Sequence, residues 1–152
     1  MVRNLALLIT FVGLVAVVMG GVFIGQGVTK NNQLVQAMQE EQVKLAVNPE
    51  TDEPSLIDNA ADAQAAGDLI REHRRGIAPT YQDLLGEGRY DPTNPAHLSY
   101  AQAMNLENYL YLAVAAFGLV QVALASGAFM VITGLALGGT GWALLRIYHV
   151  HS

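Results

Sequence analysis

The sequence predicts an all-α membrane protein: two long antiparallel transmembrane helices that extend beyond the bilayer, with a small helical extracytoplasmic head. Three observations lead there. Leu5 to Gly25 is apolar throughout, long enough to cross a membrane. After Glu107 no charged residue appears until Arg146. All 13 acidic residues fall between Glu40 and Glu107, so the polar part of the chain is one insert between two apolar runs. The 152 residues are 52% hydrophobic and 14% charged. Cysteine is absent, which excludes disulfides and thiolate metal sites. The net charge of -5 makes nucleic acid a poor partner.

Residues 1–46 read as a first transmembrane helix with a polar extension. A signal peptide is the competitor, with Gly25-Gln26-Gly27 as its cleavage site, but its apolar region would be shorter. The expectation is a retained anchor. Gly13, Gly20 and Gly27 recur every seven residues with Ala16 on the same face, and Gly21 and Gly25 form a separate small-residue pair. Such stripes let helix backbones approach closely. From Val28 to Ala46 the helix turns polar. Val28, Asn31, Val35, Met38, Gln42 and Leu45 leave a narrow apolar seam at heptad spacing. Asn48-Pro49 ends it.

Residues 47–94 read as an acidic helical head outside the cytoplasm. Ser55 or Asp52 is expected to cap a helix from Leu56 to Arg75 that stops at Gly76. Its inner stripe would be Leu56, Ala60, Ala63, Gly67 and Ile70. Thr80, with Asp83 three residues on, resembles a capping box opening a short helix over Tyr81 to Leu85. Gly86 to Thr93 is a loop.

Residues 95–152 read as a long second helix, with Asn94-Pro95 as cap and first position. Its run from Leu106 to Leu145 would measure about 55–60 Å, against a hydrocarbon core of roughly 30 Å. With Arg3 and Arg146 on one side of the membrane, residues at equal height have numbers summing to about 149. Gln26 then faces position 123, close to Gln121, and the two glutamines mark one bilayer boundary. The lipid-crossing part is about 121–146, with Trp142 and Tyr148 near the opposite interface. Gly127, Gly134 and Gly141 again repeat every seven residues, and Gly134 with Gly138 adds a close-approach pair. Leu106 to Val120 is then apolar yet outside the lipid. Leaving Leu110, Leu112, Phe117 and Leu119 wet would cost about 1.5–3 kcal/mol each. These four are expected to meet the head, another copy of the chain, or a membrane-complex subunit. A third span with a reversal near Ser126-Gly127 is the competing architecture. Arg3, Arg146, His149 and His151 suggest cytoplasmic termini in a plasma (inner) membrane.

Asp68-Leu-Ile-Arg-Glu-His73, Thr80-Tyr81-Gln-Asp-Leu84, Ala116-Phe117-Gly118 and the spaced Gly127 and Gly134 resemble a group of small actinobacterial-type membrane proteins. In that group an anchor helix precedes a D-x-I-x-x-H segment, a TY-x-x-L segment and a final apolar helix with spaced glycines. The resemblance covers roughly residues 60–145; the anchor matches only in character. Leu69 and the stretch from Leu84 to Tyr90 depart from it, with a longer Gly-rich loop before the last helix. Members are often labelled aromatic ring-opening dioxygenases, which implies a non-haem iron site.

The residues argue against that chemistry. Such a site wants two His and a carboxylate converging. Glu72, His73 and His97 are separated by helix and loop, while His149 and His151 lie across the bilayer. His73 is expected to pack at a helix end beside Arg74 and Arg75. Tyr81 with Leu84 reads as a helix anchor, and Tyr109 and Tyr111 as core packing. Arg71, Arg74 and Arg75 read as a solvated face paired with nearby acids. No cofactor, metal or phosphate motif is present, and the spans hold no charge of the kind that marks an ion pathway. The expectation is a non-enzymatic structural or assembly protein that self-associates through glycine-rich helix faces. The alternative is an accessory subunit of a larger membrane complex, such as a respiratory one; a pore or a head-domain enzyme ranks below both.

Overall fold

The computed structural model describes residues 2–40, 46–47 and 54–150. The architecture is helical: α1 (Val2–Glu40), α2 (Ala60–Ile77), α3 (Tyr81–Leu85) and α4 (Pro95–Val150), with a two-residue antiparallel ladder between β1 (Ala46–Val47) and β2 (Pro54–Ser55). Two of these helices, α1 and α4, are long and apolar enough to cross a membrane. Helix α4 runs through Ser126 and Gly127 without a break, so the reversal that a third span needs is not there.

Local chemistry explains the boundaries. Helix α1 is described as far as Glu40, and Ala46, where the expected helix was to end, instead pairs with Ser55, as Val47 does with Pro54. Gln42, Leu45, Asp52 and the expected stop at Asn48-Pro49 lie outside the described residues. Helix α2 begins at Ala60 rather than Leu56. Asn59 is its cap: the side-chain oxygen accepts from the backbone N–H groups of Ala61 (2.8 Å) and Asp62 (3.0 Å). Ser55 belongs to β2 and cannot cap it. The helix passes Gly76 and ends at Ile77, because Pro79 forces Ala78 into extended backbone. Asp62 in its first turn and Arg74 and Arg75 in its last complement the helix dipole. Thr80 caps α3, accepting from the Asp83 N–H at 3.1 Å and donating to the Asp83 carboxylate at 2.7 Å. Gly86, at φ 56°, closes α3 in a conformation that other residues rarely adopt. Asn94 opens α4 by accepting from the Ala96 N–H at 2.9 Å.

The chain divides into two compact units, with α1 and α4 contributing to both. Unit 1 is Met1–Asn31 with Leu119–Ser152, and unit 2 is Asn32–Gly118. Unit 2 holds a core of Ile57, Ala63, Ala66, Leu110 and Ala113, with Met38, Ile70, Leu106 and Val114 packed around it. The inner stripe of α2 is Ala63, Ala66 and Gly67; Leu56 is exposed, and its neighbour Ile57 is buried instead.

Candidate functional site

In unit 1 the site is a seam of small residues. One position per heptad is buried on each helix: Ala6, Gly13, Gly20 and Gly27 on α1, and Val120, Gly127, Gly134 and Gly141 on α4. The two stripes touch through backbone. A methyl group added at Gly13 would stand 2.5 Å from the Gly138 nitrogen; at Gly20, 2.6 Å from the Gly127 oxygen; at Gly134, 2.6 Å from the Gly13 oxygen. Gly27 meets the Leu124 side chain and Gly141 meets Ala6 and Thr10. The paired numbers sum to 147 (Ala6 with Gly141, Gly13 with Gly134, Gly20 with Gly127) or to 151 (Gly13 with Gly138, Gly20 with Val131, Gly27 with Leu124). Backbones this close permit Cα–H···O contacts and dense packing that any Cβ would break.

The remaining predicted glycines behave differently. A side chain added at Gly21, Gly25 or Gly138 would meet nothing within 4 Å. Gly138 takes part in the seam only through its backbone, against Gly13. Next to the seam, Phe23, Ala125, Ser126, Phe129 and Met130 line an open, mostly apolar groove of about 610 Å³.

The four residues expected to need an outside partner divide. Leu110 and Phe117 are buried by the chain itself. Leu112 is 63% exposed and Leu119 72% exposed. In unit 2, α2 and its surroundings cover only one side of α4, so the alternate face of the same apolar run stays bare.

Unit 2 holds a polar cluster that the sequence reading did not assemble. Arg74 donates through Nε to Glu107 Oε2 at 2.6 Å and through its second NH₂ group to Oε1 at 3.3 Å. Its remaining NH₂ group donates to the hydroxyl oxygen of Tyr100, whose ring centroid lies 4.9 Å from the guanidinium carbon. Glu107 and Tyr100 are buried. Arg74 is therefore a core residue, not part of a solvated face. The expectation erred because its acid lies 33 residues away, beyond helical spacing. The one available signal was a lone Glu at the edge of an apolar run. Arg71 pairs locally with Asp68 at 2.6 Å, and Arg75 is exposed.

Asp68 also accepts from Tyr111 at 2.8 Å and from Gln64 at 3.1 Å. The hydrogen bonds from Gln64 and Tyr111 hold its carboxyl below the usual range, with Arg71 adding to them. Burial, then the bond to Asp68, pushes the Tyr111 hydroxyl up. Gly67 gives the Tyr111 ring its room: a methyl there would stand 3.0 Å from Cε1. Tyr109, by contrast, is exposed and takes no part in the core. Tyr81 sits on α3 with its ring 6.1 Å from that of Tyr100.

The histidines do not converge. His73 is exposed on α2. His97 Nδ1 accepts from the Asp91 N–H at 3.0 Å and its ring stacks on Tyr90, so it fastens the loop before α4. The His149 side chain and His151 lie outside the described residues. Among the described residues no group of three His, Asp or Glu could hold a metal ion. No protein-family model matches the chain, and no curated protein or solved structure matches it.

Proposed function

We propose that this chain is a non-enzymatic membrane protein of structural or assembly type. In this reading unit 1 crosses the bilayer as an antiparallel helix pair and unit 2 stands in water on the extracytoplasmic side. The observation that carries the reading is a contrast in what each unit exposes. In unit 1 the large side chains face outward: Leu8, Phe11 and Leu14 on α1, and Phe129, Ile132 and Leu135 on α4. Only 11% and 17% of the most apolar windows of α1 and α4 are buried. A helix pair that buries its smallest residues and exposes its largest has the hydrophobic pattern of lipid-facing protein, where association rests on close packing. In water the same surface would be a large unpartnered apolar patch. Unit 2 instead has a mixed core with a hydrogen-bonded ion pair and polar outer faces on α1 and α2, at Gln36, Gln39, Gln64 and Glu72. The unit boundary also falls within a few residues of Gln26 and Gln121, in line with a bilayer edge at those residues.

The glycine faces at Gly13, Gly20, Gly127 and Gly134 meet the other helix of the same chain, and in this reading they hold that helix pair together. Self-association in this reading uses what remains open: Gly21 and Gly25 with the bare Leu119 in unit 1, and Tyr109 with Leu112 in unit 2. Mass measurement of the complex in a mild detergent tests it. A homo-oligomer is expected, dissociating on Gly21→Leu or Leu119→Gln. A strictly monomeric particle removes the assembly role, and a stable hetero-complex replaces it with the accessory-subunit role.

A further inference from the structure

Unit 1 is basic without exception. Its Lys and Arg residues are Arg3, Lys30 and Arg146, and no Asp or Glu falls within residues 1–31 or 119–152. Arg3 and Arg146 thus lie in a unit whose sequence holds no Asp or Glu side chain. The two share one end. Ala6 lies against Gly141 at the last layer of the seam. Arg3 precedes Ala6 by three residues and Arg146 follows Gly141 by five, so both stand beyond that layer. Both are exposed. The Arg146 guanidinium carbon sits 4.8 Å from the centroid of the Trp142 ring, one helical turn back. Stacking on an indole uses the flat face of a guanidinium. It leaves the in-plane N–H fork, whose geometry matches the oxygens of a phosphate.

We propose that this end of unit 1 binds the phosphate of an anionic phospholipid headgroup. Arg146 supplies the fork, Arg3 the second cation, and Trp142 the indole that sits at the lipid–water interface. The proposal rests on the reading of unit 1 as membrane-crossing. Charge complementarity selects the occupant: two arginines in a unit without Asp or Glu favour a lipid of net negative charge over a zwitterionic one, whose own cation they repel. The exposed Trp142 agrees, since an indole prefers the interfacial layer where the phosphates lie.

The test uses the full chain in mild detergent, titrated with phosphatidylglycerol or phosphatidylcholine. Retained lipid is read by native mass spectrometry, and the emission of Trp142, the only tryptophan, reports on the site. Phosphatidylglycerol is expected to be retained in preference, with the preference falling about fivefold for Arg3→Gln or Arg146→Gln. Arg75→Gln, in unit 2, leaves it unchanged. Equal retention of the two lipids overturns the proposal, as does a preference that survives the Arg3→Gln/Arg146→Gln double variant. Inorganic phosphate alone is expected to leave Trp142 emission unmoved; a saturating response to it overturns the lipid assignment. Vesicle partition separates this outcome from failure of the membrane reading. A chain that enters phosphatidylglycerol and phosphatidylcholine vesicles alike refutes only the headgroup site, whereas one that enters neither refutes the membrane span.

Discussion

Arg74 shows how a single side chain organises unit 2. It has a carboxylate on one side and a buried tyrosine on the other, and its own burial opposes the charge that Glu107 holds in place. Deleting one half of a buried pair leaves the other half uncompensated, which typically costs about 3–5 kcal/mol. Arg74→Met is expected to lose that much in a denaturant melt of the detergent-solubilised protein. Arg74→Met with Glu107→Leu and Tyr100→Phe should recover most of it, because three apolar groups need no partner. Asp68 gives the protein an acid limit. Its folded pKa lies below its ordinary 3.8, so the unfolded chain binds the proton more readily. The resulting stability is complete above the ordinary value and is lost as pH falls through the folded one. Tyr111 works in the opposite sense. Raised above 10.0, it contributes below that pH and loses the contribution as pH rises through its folded value. Melting temperatures of wild type and Asp68→Asn should therefore differ near neutrality and converge towards pH 2. A gap that stays constant down to that pH would remove Asp68 from the account.

At the scale of elements, α1 and α4 touch through glycines seven apart, about 10.5 Å along each helix. Every second helical turn therefore brings one backbone-to-backbone layer. The spacing keeps the contact on a single stripe, which frees the other faces of both helices for large apolar side chains. Glycines on and off the stripe should respond differently to one methyl group. Gly13→Ala drives a Cβ into the Gly138 backbone, which cannot rotate away, and overpacking of this kind costs about 1–3 kcal/mol. Gly139→Ala meets open space and removes a flexible residue from a helix, so it should be neutral or stabilising. Thermal melts of the two variants in one detergent decide it; equal effects would mean that the stripe does not hold the pair together.

At the scale of the whole molecule, the proposed topology makes a prediction that needs no knowledge of partners. The chain has no cysteine, so single cysteines can be introduced as reporters. Glu87→Cys, in the loop after α3, should react with a membrane-impermeant maleimide on intact cells, and Asn4→Cys only after lysis. The reverse pattern would invert the orientation. Much of the architecture was legible in the residues alone. Apolar length marked α1 and α4, because hydropathy is a property of composition along the chain. Thr80 with Asp83 marked α3, and Asn94-Pro95 marked the start of α4, because caps are local hydrogen bonds between near neighbours. What the sequence hid were relations between distant residues. Ser55 looked like a cap until β2 claimed it, and Arg74 looked solvated until α2 and α4 brought Glu107 to it. The glycine repeats announced close approach, but not whether the neighbour was another copy or the chain itself. By itself, the sequence determined where the chain is apolar and where helices start, since both follow from residues within a few turns. Only the tertiary structure decided which surfaces are occupied, because burial depends on neighbours as far as a hundred residues away: Gly13 and Leu110 are covered from within, while Leu112 and Leu119 stay exposed.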